Sequence, residues 1–132
     1  MPSRKMKLLI VDDEKDICAF VKMLFRKRGF LTYSALSGIQ ALKVIKKIKP
    51  HIALLDIHLK KGMDGIAVLK RAVTMVPDCR YVMVTWDKAQ AKIKQAKGLG
   101  IAAYLTKPLS TAQLLKVVDT VARDSRGRSN HV

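Results

Sequence analysis

Carboxylates are scarce in this chain of 132 residues: ten Asp and Glu stand against 26 Lys and Arg, a formal net charge of +16. The ends hold little of it, two charges at 1–5 and two at 123–132, so +12 remains on the body. A field of that sign selects against cationic partners and favours acidic proteins, nucleic acid or an anionic surface. Cysteine is also rare. Cys18 and Cys79 each sit inside an apolar run, which excludes a disulfide framework and fits small core residues in a reducing cytoplasm. Aromatics make up 5%, few for stacking on bases, and no nucleic-acid-binding motif is present. No apolar run approaches the roughly 18 residues of a membrane span. Arg4-Lys5-Met6-Lys7 before Leu8-Leu9-Ile10-Val11 starts like a signal peptide, but Asp12-Asp13-Glu14 ends the run far too early. The expectation is a cytoplasmic protein with no membrane insertion.

What the chain does have is alternation. Apolar runs suited to strands are followed five times by segments of helical period. The strands are expected at about 6–11, 30–35, 52–56, 79–84 and 101–105. The first helix runs to about Arg28, with Ile17, Phe20, Val21, Leu24 and Phe25 inward and Gly29 as its stop. Ser37 with Gln40 forms a capping box for the second, striped by Leu42, Ile45 and Ile48 and ended by Pro50. Asp64 caps the third, striped by Ile66, Leu69, Val73 and Val76. Asp87 with Gln90 opens a fourth at about 88–97, whose thin apolar content (Ala89, Ile93, Ala96) predicts the least stable helix. Ser110 with Gln113 caps the last, striped by Leu114, Val117, Val118 and Val121. Residues 1–122 read as one domain and 123–132 as a frayed basic tail. Five short-linked β-α units mean a doubly wound, five-stranded parallel sheet covered on both faces by five helices.

The third strand, Ile52-Ala53-Leu54-Leu55-Asp56, is apolar throughout and so buried on both faces, and it delivers one carboxylate to the ligand-binding rim of such a sheet. The other strand ends contribute Asp12 and Asp13, Thr85, and Lys107. Three clustered carboxylates repel one another, and a hard divalent cation removes the conflict; Mg²⁺ takes oxygen ligands of this kind. Carboxylate, Mg²⁺, lysine and hydroxyl are the parts that phosphoryl transfer to an aspartate requires, with Asp56 attacking phosphorus. Taken singly, each residue has a plainer role: Asp12 or Asp13 as a helix cap, Thr85 as an ordinary strand end, Lys107 as a surface lysine. Their joint occurrence at four strand ends carries the reading.

Over about residues 6–122 the chain resembles a response-regulator receiver domain of two-component signalling. Leu8 to Glu14 resembles the family's opening strand and acidic pair. Asp56 falls on its phosphoacceptor, Met63-Asp64-Gly65 on its loop signature, and Thr85 on its switch hydroxyl. Lys107-Pro108 falls on its lysine and cis-proline, and Tyr104 on its switch aromatic. The resemblance implies a flavodoxin-like (CheY-like) fold with strand order 2-1-3-4-5. It further implies Mg²⁺ bound by Asp13, Asp56 and the backbone carbonyl of His58, with Asp12 acting through water. The phosphoryl donor it implies is a sensor histidine kinase or phosphotransfer protein, and the only reaction catalysed is the protein's own phosphorylation and dephosphorylation.

Two features depart from the family pattern. Lys60-Lys61 stand where a proline is usual, and Trp86 follows the switch hydroxyl where a small residue is normal. His58 and Asp87 occupy positions that in the family tune the lifetime of the phosphoryl group, although Asp87 also reads as a helix cap and the His58 imidazole as a rim group. The fourth helix with its loop carries Lys88, Lys92, Lys94 and Lys97 and no acid after Asp87; the resemblance implies that this face serves dimerisation or partner contact, and its charge predicts an acidic output partner. Competing readings are weaker. An aspartyl-nucleophile phosphatase wants an acid where His58 stands, and a flavin carrier wants a phosphate-cradling loop where Asp12-Asp13 would repel it. A receiver blocked by Trp86, acting through its basic surface on protein or nucleic acid without phosphorylation, is the remaining alternative.

Overall fold

The computed structural model describes residues 5–60, 62–86 and 90–129, with side chains as far as residue 124. Strands and helices alternate as β1 (Lys7–Val11), α1 (Lys15–Arg26), β2 (Leu31–Ala35), α2 (Gly38–Ile48), β3 (Ile52–Asp56), α3 (Gly65–Met75), β4 (Arg80–Thr85), α4 (Gln90–Gly98), β5 (Ala103–Thr106) and α5 (Thr111–Ser129). All five strands are parallel, in the order β2-β1-β3-β4-β5. The registers Leu8↔Ile52 and Asp56↔Val84 align the strands so that their carboxyl ends finish together.

The period of two along each strand builds two cores. Leu9 and Val11 of β1, with Ala53 and Leu55 of β3, meet α2, α3 and α4 through Ala41, Ile45, Val68, Leu69, Ala72 and Ala96. The alternate residues Leu8, Ile10, Ile52 and Leu54 meet α1 and α5 through Cys18, Val21, Phe25, Leu114 and Val118. Because β3 lies centrally and both its faces are covered, every one of its residues is buried, Asp56 included. Phe25 adds an edge-on contact with Phe30, centroids 5.6 Å apart. Truncating such a fully buried aromatic costs about 3–5 kcal/mol.

Caps expected from the sequence are present: Ser37 Oγ accepts from Gln40 N, Asp64 Oδ1 from Ala67 N, and Ser110 Oγ from Gln113 N. Gln40 Oε1 accepts from Leu36 N, which places the reciprocal bond one residue before the cap. Residues 87–89 lie outside the described residues, and with them the expected cap at Asp87. α4 buries only Ile93 and Ala96.

Some inward faces differ from expectation. The buried residues of α1 are Cys18, Val21 and Phe25, while Phe20 is 37% exposed and Ile17 and Leu24 are half-buried. In α2 the buried positions are Gly38, Ala41 and Ile45, with Leu42 and Ile48 half-buried. Gly38 is buried where the start of α2 meets the segment leading into α3. A side chain on Gly38 would strike the carbonyl oxygen of Met63. α5 does not fray at Arg123 but continues to Ser129, and Arg123 pairs with Asp119 one turn earlier at 3.4 Å.

Candidate phosphoryl-acceptor site

Parallel alignment brings the ends of β1, β3, β4 and β5 to one rim, and the polar residues buried there are Asp12, Asp56, Thr85 and Lys107. Asp12 follows the last residue of β1. Its backbone N–H bonds Ala35 O (3.1 Å), and its Oδ1 accepts from Glu14 N (2.9 Å). The residue that caps α1 is Glu14, without a side-chain bond, so neither Asp12 nor Asp13 serves as the cap. Asp13 is half-buried, and its Oδ2 accepts from Lys60 N (3.0 Å). That bond ties the loop after β3 to the loop after β1. Asp56 ends β3 at 3% exposure, and its Oδ1 accepts from His58 N (3.0 Å).

Lys107 reaches in from the end of β5. Its Nζ lies 2.7 Å from Asp12 Oδ2 and 3.0 Å from Asp56 Oδ2, with all three side chains buried. Its backbone N–H donates to the carbonyl of Thr85 (2.8 Å), and the Lys107–Pro108 peptide is cis. Burial pushes the Asp56 carboxyl above its ordinary range, against the His58 N–H and Lys107, which act to lower it. Burial pulls Lys107 downwards, but its bonds to Asp12 and Asp56 and their charges outweigh this, and its pKa ends up raised.

Carboxylate oxygens of Asp12, Asp13 and Asp56 lie within 4.8 Å of one another. Three carboxylates and one ammonium leave two negative charges, which one divalent cation balances. The donors are all hard oxygens, so the set fits Mg²⁺ and not a soft metal.

Trp86 is 60% exposed, with its ring centroid 5.8 Å from Lys107 Nζ. It lines a cleft of about 280 Å³ beside the site with Ile17, Phe20, Lys107, Pro108 and Leu109. Tyr104 is 41% exposed, with Lys97 Nζ 5.3 Å from its ring centroid. On α4, Lys94 and Lys97 are exposed and Lys92 half-buried. Asp87 and Lys88 lie outside the described residues. The structure therefore brings Asp12, Asp13, Asp56, Thr85 and Lys107 together, with His58 and Trp86 at the margin and Tyr104 turned to solvent.

Sequence reasoning placed Gly65 in a loop signature without giving it a role. A Cβ on Gly65 would collide with the backbone of Asp56 and Ile57. Its N–H donates to Ile57 O (2.9 Å), locking the start of α3 against the strand end.

Residues 8–119 match the response regulator receiver domain family. Sporulation initiation phosphotransferase F of Bacillus subtilis (strain 168) is 34% identical over 112 residues, covering 85% of this chain and 90% of that protein. Among solved structures, a CheY-like response regulator receiver domain protein from Methanospirillum hungatei superposes with a TM-score of 0.91 at 25% identity, over 95% of this chain and 99% of that one. NtrX from Brucella abortus gives 0.88 at 26% identity over 96% of this chain, which corresponds to 29% of NtrX.

Proposed function

The chain belongs to the response regulator receiver domain family, and from that premise we propose that it is a phosphorylation-driven switch whose acceptor is Asp56. The observation that carries this is the bridge of Lys107 Nζ to both Asp12 and Asp56, 2.7 and 3.0 Å away, inside a cluster of three carboxylates.

Asp56 is held ready to attack. Its Oδ1 is fixed by the His58 N–H and its Oδ2 by Lys107, so little orientational freedom remains to be lost. One carboxylate oxygen attacks phosphorus; the bond to the donor breaks, and the donor's leaving group departs with its electron pair. A phosphohistidine of a sensor histidine kinase or phosphotransfer protein is the donor of suitable chemistry. Lys107 places positive charge where the equatorial oxygens carry negative charge, and Thr85, fully buried at the end of β4, offers a hydroxyl. Asp13, Asp56 and the His58 carbonyl, with Asp12 beside them, would hold Mg²⁺, which would neutralise charge at the transferring group when bound. Trp86, beside Lys107, limits water access to the product, while His58 and Asp87 adjust its lifetime.

Phosphorylation adds charge and acceptors that Thr85 and Lys107 engage in only one arrangement of the β4-α4 and β5-α5 loops. Tyr104 then turns inward from its exposed position, and α4, with two buried residues, is the element that gives. Its lysines Lys92, Lys94 and Lys97, with Lys88 ahead of them in sequence, would meet an acidic output partner or a second copy. The protein's catalysis is confined to its own phosphorylation and dephosphorylation, in the cytoplasm; among the described residues no helix is long and apolar enough to cross a membrane. Radiolabelled acetyl phosphate tests the reading. Label is expected with Mg²⁺ and absent with a chelator or in Asp56→Asn; equal label in Asp56→Asn contradicts it.

A further inference from the structure

The strongest charge asymmetry lies at the other end of the molecule. From residue 17 to residue 55 the chain has eight cations (Lys22, Arg26, Lys27, Arg28, Lys43, Lys46, Lys47, Lys49) and no Asp or Glu. Parallel topology carries the ends of α1 and α2 to the amino edge of the sheet, opposite Asp56. Leu31 N bonds Met6 O there, and Lys7 Nζ reaches the last carbonyl of α2, at Ile48 (3.0 Å). Lys5, Arg28 and Lys49 therefore stand just before three adjacent strands, β1, β2 and β3, with Arg26, Lys27, Lys46 and Lys47 on the helix ends flanking them. All seven are exposed. Among the described residues none of them has an ion-pair partner; the pairs are Lys107 with Asp12 and Asp56, and Arg123 with Asp119.

Cations at helix C-termini complement the helix dipole, which accounts for one or two per helix. It does not account for a face with almost no interspersed acid, where like charges repel at a cost to the fold. The acids bordering this edge are Asp78, ahead of β4, and Asp119 and Asp124 on α5, of which Asp119 is paired with Arg123. The basic edge also continues onto α5. Arg28, Lys116, Asp119 and Arg123 line one cleft of about 470 Å³, floored by Phe25 and Phe30.

We propose that this amino edge binds the phosphate backbone of double-stranded DNA. Three adjacent strand starts span about 10 Å, and a duplex carries about six phosphate charges over that length, counted all round its axis, so the seven cations suffice for those that face the edge. The large apolar side chains exposed at this end are Leu31 and, at the end of α3, Met75, too little for insertion into a bilayer, so attraction to a fixed anionic array is what the surface offers. Contacts of this kind position a duplex without reading its sequence. Because the edge lies opposite Asp56, occupancy by DNA leaves the acceptor site open.

The test is fluorescence anisotropy of the full chain with a mixed-sequence duplex, and sedimentation with phosphatidylglycerol vesicles, across a salt series. Two triple variants lose equal charge: Lys27→Gln/Arg28→Gln/Lys47→Gln on the edge, and Lys92→Gln/Lys94→Gln/Lys97→Gln on α4. Circular dichroism confirms that both remain folded. The edge triple is expected to weaken duplex binding about tenfold or more and to lower the salt slope by about two to three, with the α4 triple much nearer wild type. Equal losses in the two triples, no duplex binding at low salt, or binding to vesicles alone would overturn the proposal.

Discussion

Gly65 packs against the backbone of Asp56 with no room for a side chain between them. The acceptor is thus fixed from behind by a helix start, as well as from the front by Lys107 and the His58 N–H.

Gly65→Ala forces that contact apart. Backbone cannot yield as a flexible side chain does, so a loss of about 1–3 kcal/mol is expected, read as a fall of several degrees in Tm. Labelling of Asp56 by acetyl phosphate should fall as well. A Tm within one degree of wild type would show that α3 shifts freely.

Asp56→Asn is expected to stabilise the domain at neutral pH in the absence of Mg²⁺. Burial raises the Asp56 pKa above its unfolded value, so the native state binds the extra proton and stability falls as pH rises through that interval. Below the unfolded value both states are protonated and the gain over wild type should vanish. Denaturant unfolding of both proteins between acid and neutral pH checks the sign.

Mg²⁺ should stabilise the wild type by about 1.4 kcal/mol at ten times its Kd, by simple linkage. Asp13→Asn, which removes the half-buried carboxylate of the trio, should abolish most of that shift while barely changing the metal-free Tm. Thermal melts across a Mg²⁺ titration provide the reading.

Trp86→Ala removes the ring beside Lys107, an interaction worth about 0.5–1 kcal/mol at an exposed site. Loss of the phosphoryl group should quicken about two- to fivefold. An unchanged half-life would assign the indole to the cleft with Phe20 and not to shielding.

Both thiols should resist alkylation in the folded protein near pH 8. Burial pushes Cys18 up to about 11 and Cys79 up to about 12, so thiolate is scarce until the chain unfolds. The same shifts make stability fall as pH rises from about 9 towards those values, because the unfolded thiols ionise first. Rapid modification of both in native buffer would contradict this.

Much of the fold could be read because β3 is apolar without interruption, which only a strand covered on both faces tolerates, and because Ser37, Asp64 and Ser110 mark helix starts. The site could be read because strand ends carried chemistry that made sense only jointly. Helix faces were less legible. Residues 17, 20 and 24 repeat at the same spacing as 18, 21 and 25, and periodicity alone does not choose between neighbouring stripes; the outward turn of Phe20 had to come from the packing. Gly65 is silent in sequence because its role is a close approach between segments nine residues apart. The basic edge was visible only as net charge, since residues from two separate helices gather there through topology.

The most direct measurement traps the acyl phosphate. Protein treated with acetyl phosphate and Mg²⁺ is reduced with borohydride, which converts a phosphorylated aspartate to homoserine, and peptides are sequenced by tandem mass spectrometry. The expected result is homoserine at position 56 alone, dependent on Mg²⁺ and missing in Lys107→Met. Homoserine at Asp12 or Asp13, or none at any aspartate, would contradict the account.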